Sequence, residues 1–292
     1  MKEILVKINN NIHINVRYSN SCKETILFLH FSSGNSHMWD GVLSQFKQHY
    51  NVIVPDIRGH GKSDIPKKGY HIDDMAQDIY LLLQELNMSK CHIVGSSLGA
   101  EIGLSLASSH PSMVKSLICE GALYNEFGQY GLINISENQM KNEIKERYDD
   151  LKKFRRPIFD SKKDYIEHMK ESLQKRKIWN DHFLPFVEHN ILMTKEGKYT
   201  NCFPLFAREQ YIQHYWTVRF EEYYQTLKCP VLFLPSEEEW NDLKIRKILI
   251  EFCSLVEKSE VLCIPKSVHA YMWMQFPFLL SNHIKKFIST IE

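Results

Sequence analysis

Apolar and polar positions divide this chain into short unbroken apolar runs separated by longer amphipathic stretches. Residues 25–30 (Thr-Ile-Leu-Phe-Leu-His) and 50–55 are nearly continuous apolar runs. Such runs suit strands covered on both faces rather than strands with one face in water. Residues 92–94, 114–119, 231–234 and 261–264 repeat the pattern. Between these runs apolar residues recur at helical spacing. Over 72–88, Ile72, Met75, Ile79, Leu82, Leu83 and Leu86 share one face. Further helices are expected near 38–48, directly after residue 97, near 242–252 and near 276–291. At the start, 4–8 and 12–18 read as two antiparallel strands joined by an Asn-rich turn at 9–11. Gly59, Gly61, Pro66 and Gly69 mark a long loop. Strands that alternate with helices and are buried on both faces predict an α/β fold. Its core is a mostly parallel twisted sheet with helices on both faces.

The alternation stops after Glu120 and resumes near Pro230. The intervening segment reads as helical and charged, with scattered aromatics and no strand pair. Its sign-alternating run over 141–177 reads as a solvated helical face. The expected organisation is a core from residues 1–121 and 228–292, interrupted by a helical cap over 122–227. The cap carries Phe127, Tyr130, Trp179, Phe183, Phe186, Phe203, Phe206, Tyr215, Trp216 and Phe220; most are expected in its helical core, and a few to line a pocket over Ser97 for a small, partly apolar substrate.

Charge narrows the partners. With 36 Lys+Arg against 35 Asp+Glu, the net charge of +1 gives no electrostatic basis for binding nucleic acid or an anionic membrane. No apolar run reaches membrane-spanning length. The first seven residues are charged and lack the apolar block of a secretion signal. The seven cysteines form no C-x-x-C, and Cys119 and Cys263 sit inside apolar runs, which points to a reducing, cytoplasmic setting. No His/Cys group has metal-ligand spacing, so neither a metal nor a cofactor is expected. The oligomeric state is left open.

The candidate chemistry centres on Gly95-Ser96-Ser97-Leu98-Gly99, a G-x-S-x-G set between an apolar strand and a helix with small residues at its start. A sharp strand-to-helix turn there would lift the Ser97 hydroxyl above the sheet edge, as in a nucleophile elbow. Gly95 and Gly99 would remove side chains where strand and helix approach each other. A serine hydroxyl is a poor nucleophile near neutral pH and needs a base and a group to orient that base.

Several landmarks in this order resemble the α/β-hydrolase superfamily. They are the strand-to-loop segment Leu27-Phe28-Leu29-His30-Phe31-Ser32 and the loop Asp56-Ile57-Arg58-Gly59-His60-Gly61-Lys62-Ser63. The elbow follows, then Pro230 to Glu239, then Ile264-Pro265-Lys266-Ser267-Val268-His269 before Gln275-Phe276-Pro277. The resemblance covers both halves of the sheet and not the cap. It implies Ser97 as nucleophile, His269 as base and Glu239 as acid, in the family's chain order. Glu120, at the end of the preceding strand, is a rival for the acid. The backbone N–H groups of Ser32 and Leu98 would form an oxyanion hole, although Ser32 could simply cap its loop. His30, His37 and His60 look structural, and Asp56, Arg58 and Ser63 look like loop braces. Phe31, Pro235-Ser236 and Glu239 depart from the family's usual Gly, His-Gly and Asp. The implied activity is hydrolysis of a carboxylic ester or related acyl bond through an acyl-enzyme. Carbon–carbon bond or peptide hydrolysis on the same triad, or ligand binding without turnover, are the alternatives.

Overall fold

The computed structural model describes residues 1–9, 12–20 and 24–291. The expected turn at 9–11 therefore lies largely outside the described residues. Two antiparallel strands open the chain, β1 (Lys2–Asn9) and β2 (Ile12–Tyr18). There follow β3 (Thr25–Leu29), the short helix α1 (Asp40–Leu43), β4 (Asn51–Pro55), α2 (Ile72–Glu85), β5 (Cys91–Ser96), α3 (Leu98–Ser109) and β6 (Val114–Glu120). Every residue of β3, β4 and β5 is buried, as the apolar runs at their centres led one to expect.

The segment after β6 corrects the expectation of an all-helical insert. It holds two strand pairs of three residues per strand: β7 (Asn125–Phe127) with β8 (Gly131–Ile133), and β9 (Ile191–Met193) with β10 (Tyr199–Asn201). Three residues are too few to show an alternation against a charged background. Around these pairs lie α4 (Glu137–Lys153), α5 (Lys162–Lys175), α6 (Phe183–His189), α7 (Leu205–Tyr215) and α8 (Phe220–Tyr224). α4 buries none of its residues and α5 only Tyr165 and Leu173.

The sheet resumes with β11 (Val231–Phe233), α9 (Glu237–Asn241), α10 (Leu243–Leu255), β12 (Ser259–Val261), α11 (Met272–Gln275) and α12 (Pro277–Ser289). β12 pairs two residues earlier than the apolar run 261–264 suggested. The expected helix at 38–48 is a 3-10 turn at Ser36–Trp39 running into the single turn of α1.

The eight-stranded sheet has the order β1-β2-β4-β3-β5-β6-β11-β12. β2 runs antiparallel to both its neighbours, β1 and β4, and the remaining pairings are parallel. Alternate side chains feed separate cores on its two faces. Leu27, Leu29 and Ile93 pack with α2 and α3, while Ile26, Phe28 and Val94 pack with α1 and α12. Among the described residues no helix is long and apolar enough to cross a membrane.

Candidate active site

β5 ends at Ser96, and Ser97 leads directly into α3 with φ 50° and ψ −117°, a backbone region that L-residues occupy only under strain. The glycines around it leave no room for a side chain. A Cβ on Gly95 would lie 2.5 Å from the Ala100 backbone, and one on Gly99 would overlap the Leu29 carbonyl. Gly121 is a third such position, which the motif does not mark. It has φ +106°, and a Cβ there would stand 2.6 Å from the Ser97 Cα. The strained serine is also pinned from the neighbouring strand, where its N–H donates to the Glu120 carbonyl.

The Ser97 Oγ lies 3.1 Å from His269 Nε2. His269 sits in the loop between β12 and α11, one residue before Ala270, whose φ is 65°. On the far side of the ring both candidate acids arrive. The Oε1 atoms of Glu120 and Glu239 each lie 3.0 Å from Nδ1. Nδ1 is buried between them. The two carboxylates straddle it.

Each carboxylate is held by other donors. Glu120 closes β6 directly across from Ser96 in the parallel register. Its side chain accepts from the Ser96 hydroxyl (2.5 Å), the Ala270 N–H (2.7 Å) and the Trp273 indole N–H (3.2 Å). Glu239 is the third residue of α9 and completes a capping box. Its Oε2 accepts from the Ser236 N–H at 2.8 Å and hydroxyl at 2.9 Å, which leaves Oε1 toward the imidazole. The Glu run is therefore divided by exposure: Glu238 is exposed, Glu237 half-buried and Glu239 buried. The spacing Ser236-x-x-Glu239 was the signal for that cap.

Electrostatics follow from this crowding. Burial alone would lower the His269 pKa, but the charge and hydrogen bonding of Glu120, joined by Glu239, hold it well above the ordinary value. Burial pushes Glu239 up, and His269 together with the Ser236 donors brings it below the usual carboxylate range.

The other sequence candidates occupy supporting positions. Leu98 is the first residue of α3, so its N–H has no intrahelical acceptor. Ser32 is half-buried in the loop after β3. His30 accepts from the Ile57 N–H (2.9 Å) and His60 from the Ser33 N–H (3.0 Å), tying two loops together below the site. Burial lowers the pKa of both rings. His37 lies 3.0 Å from Asp40 and stacks on His189. Asp56 accepts from the Ser36 and Lys62 N–H groups, Ser63 donates to the Asp56 carbonyl, and Arg58 pairs with Asp78 at 2.5 Å.

The cavity beside Ser97 measures about 90 Å³ and is lined by Glu101, Gly121, Tyr124, Tyr211, Tyr215 and Glu239 as well as Ser97 and His269. Trp179 and Trp216 are not among its walls; they border other, more open concavities. Of the cap aromatics singled out in the sequence, Tyr215 stands on the wall of this small cavity, whose lining sets carboxyl and hydroxyl groups beside the apolar Ala122 and Leu123. Trp179 packs against Phe183, and Trp216 lines another concavity with Phe127 and Met140. A roughly 430 Å³ hollow lies at the other end of the sheet, beside Pro230 and Ser259, remote from this chemistry.

Among the described residues no group of three or more His, Cys, Asp and Glu is arranged to hold a metal ion. The six described cysteines are free.

A family model for the alpha/beta hydrolase fold matches residues 24–242. A 2-(acetamidomethylene)succinate hydrolase of Mesorhizobium japonicum is 35% identical over 107 residues, which is 37% of this chain and 38% of that protein. The chain thus matches little more than a third of that curated relative's length. The solved structure of an E-2-(acetamidomethylene)succinate hydrolase superposes with a TM-score of 0.77 at 22% identity, covering 99% of both chains. An esterase from Exiguobacterium antarcticum gives a TM-score of 0.71 at 17% identity, covering 98% of each chain. These last two likenesses concern the fold.

Proposed function

Because this chain belongs to the α/β-hydrolase fold family, we propose that it is a serine hydrolase that cleaves the ester, or a related acyl bond, of a small substrate through an acyl-enzyme. The observation that carries this reading is the 3.1 Å approach of His269 Nε2 to the hydroxyl of a serine at φ 50°. In the proposed reaction the Ser97 Oγ attacks the carbonyl carbon and His269 Nε2 takes the hydroxyl proton. The Leu98 and Ser32 N–H groups bind the oxyanion of the tetrahedral intermediate. As that intermediate collapses, the bond to the leaving alkoxide breaks and His269 returns the proton to it. Water then attacks the acyl-Ser97 carbonyl by the same proton route and releases the acid. The two carboxylates at Nδ1 fix the imidazole tautomer and stabilise the imidazolium formed in each half-reaction.

The hydrolase names of its relatives favour turnover over binding alone. Their named succinate substrate does not carry over. Glu101 and Glu239 line the cavity with no Lys or Arg beside them, and a dicarboxylate would meet like charge there. The cap, residues 122–227, is proposed to close the site from above, since it supplies Tyr124, Tyr211 and Tyr215 to its walls. The test is steady-state hydrolysis of short acyl esters by the wild-type chain and by Ser97→Ala. The variant should fold normally and lose about three or more orders of magnitude in kcat. Near wild-type turnover by Ser97→Ala would refute the assignment.

A further inference from the structure

The cavity beside Ser97 contains a carboxyl group that acyl transfer does not use. Glu101 lies one turn along α3 from Ser97, so the two share a face of the helix entrance. It is 2% exposed and lines the same cavity as Ser97 and His269. Its side chain accepts from the Tyr211 hydroxyl, 2.9 and 3.1 Å from its two oxygens. Among the described residues no Lys, Arg or His stands within ion-pair distance of it. A carboxylate presents about four acceptor directions, and one hydroxyl leaves most of them unmet.

A buried acid so poorly compensated is costly to ionise. Burial raises its pKa to about 7, with the Tyr211 hydrogen bond and the more distant His269 and His71 acting in the opposite direction. The remaining walls add hydroxyl and aromatic groups from Tyr124 and Tyr215 and no Lys or Arg, and the His269 imidazole is already engaged by Glu120 and Glu239. The cavity is therefore short of one component, a compact cation carrying several N–H donors. A primary ammonium supplies three donors on a small point charge. It fits a space of about 90 Å³, far below the roughly 300–1,000 Å³ of pockets for larger ligands, and gains from neighbouring tyrosine faces.

We propose that Glu101 is a specificity-determining residue which binds a primary ammonium group of the substrate, so that the preferred substrates are small amino-acyl compounds. This rests on the reading of Ser97 as the reacting centre, and its test is separated from turnover. Binding of 3-aminopropanamide, butanamide and malonamate to the Ser97→Ala chain is measured by calorimetry at neutral pH. The three have similar size and carry a cationic, a neutral and an anionic end. The ammonium compound should bind about tenfold or more tighter than butanamide, and malonamate weakest. Adding Glu101→Gln should abolish the difference between the first two. Tyr211→Phe, which keeps the carboxyl, should retain it and serves as the second variant if Glu101→Gln does not fold. Equal binding of cationic and neutral compounds, no measurable binding of any of the three, or a preference that survives Glu101→Gln would each overturn the proposal and leave Glu101 as a structural partner of Tyr211. Hydrolysis of the matching methyl esters by the wild-type chain reports separately on the hydrolase reading. Selective binding without ester turnover would count against that reading alone.

Discussion

His269 has a carboxylate on each side of Nδ1, and two expectations follow at the scale of the residue. The first concerns pH. The base acts as neutral imidazole, and Glu120 and Glu239 favour the imidazolium. kcat/KM should therefore rise with pH, and its midpoint should lie above the ordinary histidine value of about 6.5. Glu239→Gln removes one negative charge and should move the midpoint to lower pH. Because the three groups titrate together, the midpoint belongs to the cluster and not to the ring alone. A pH–rate profile with its midpoint below about 6.5, or one unmoved in the variant, would contradict this. The second concerns redundancy. Either carboxylate alone can hold the tautomer, so Glu239→Gln should cost about 10–100-fold in kcat, less than the roughly 10⁴-fold loss in a single-acid triad. Combining it with Glu120→Gln should cost far more than the product of the single losses. Glu120→Gln should also lower the melting temperature, because its amide would face the Ser96, Ala270 and Trp273 donors. Multiplicative losses would show that only one carboxylate serves His269. That Ser97, His269, Glu120 and Glu239 would meet was legible in the sequence, because strand ends and the elbow motif mark them. Glu101 was not, since a glutamate in the first turn of a helix has no pattern that separates a cavity wall from a solvated face.

At the scale of the element, the site is a junction of β5, β6, α3 and α9, and the junction tolerates little added volume. Gly121 follows β6 at φ +106° with its Cα hydrogens facing the Ser97 Cα. Gly121→Ala should destabilise the fold by about 1–3 kcal/mol and reduce kcat by displacing the elbow. Urea melts paired with ester assays check both, and an unchanged melt with full activity would show that the junction can relax. The long elements were readable because their apolar runs are continuous in β3 and β5 and helically spaced in α2. β7 to β10 were missed because three-residue strands carry no period. The helix around 38–48 broke early because the single turn of α1 gives way to turns from Ser44 onward.

At the scale of the whole molecule, the sheet breaks off after β6 and resumes at β11, and the segment between them supplies tyrosines to the cavity over Ser97. Aromatic content suggested a partly apolar substrate; the aromatics on the cavity wall are Tyr124, Tyr211 and Tyr215, of which the sequence singled out Tyr215, and Trp179 and Trp216 border other concavities. Composition reports how many rings a segment has and not which of them a cap turns inward. A cavity of about 90 Å³ should favour acyl groups of about two to four carbons, with kcat/KM falling steeply beyond that. Trp179→Ala and Trp216→Ala should affect short and long esters alike; a selective loss on long esters would place those rings on the substrate path. The central claim, that Ser97 is the reacting nucleophile of this sheet, is tested most directly by treating the folded chain with a fluorophosphonate and mapping the adduct by peptide mass spectrometry. The account predicts a single adduct on Ser97, absent in Ser97→Ala and formed far more slowly in His269→Ala. A folded wild-type chain that takes no label, or takes it on another residue, would contradict it.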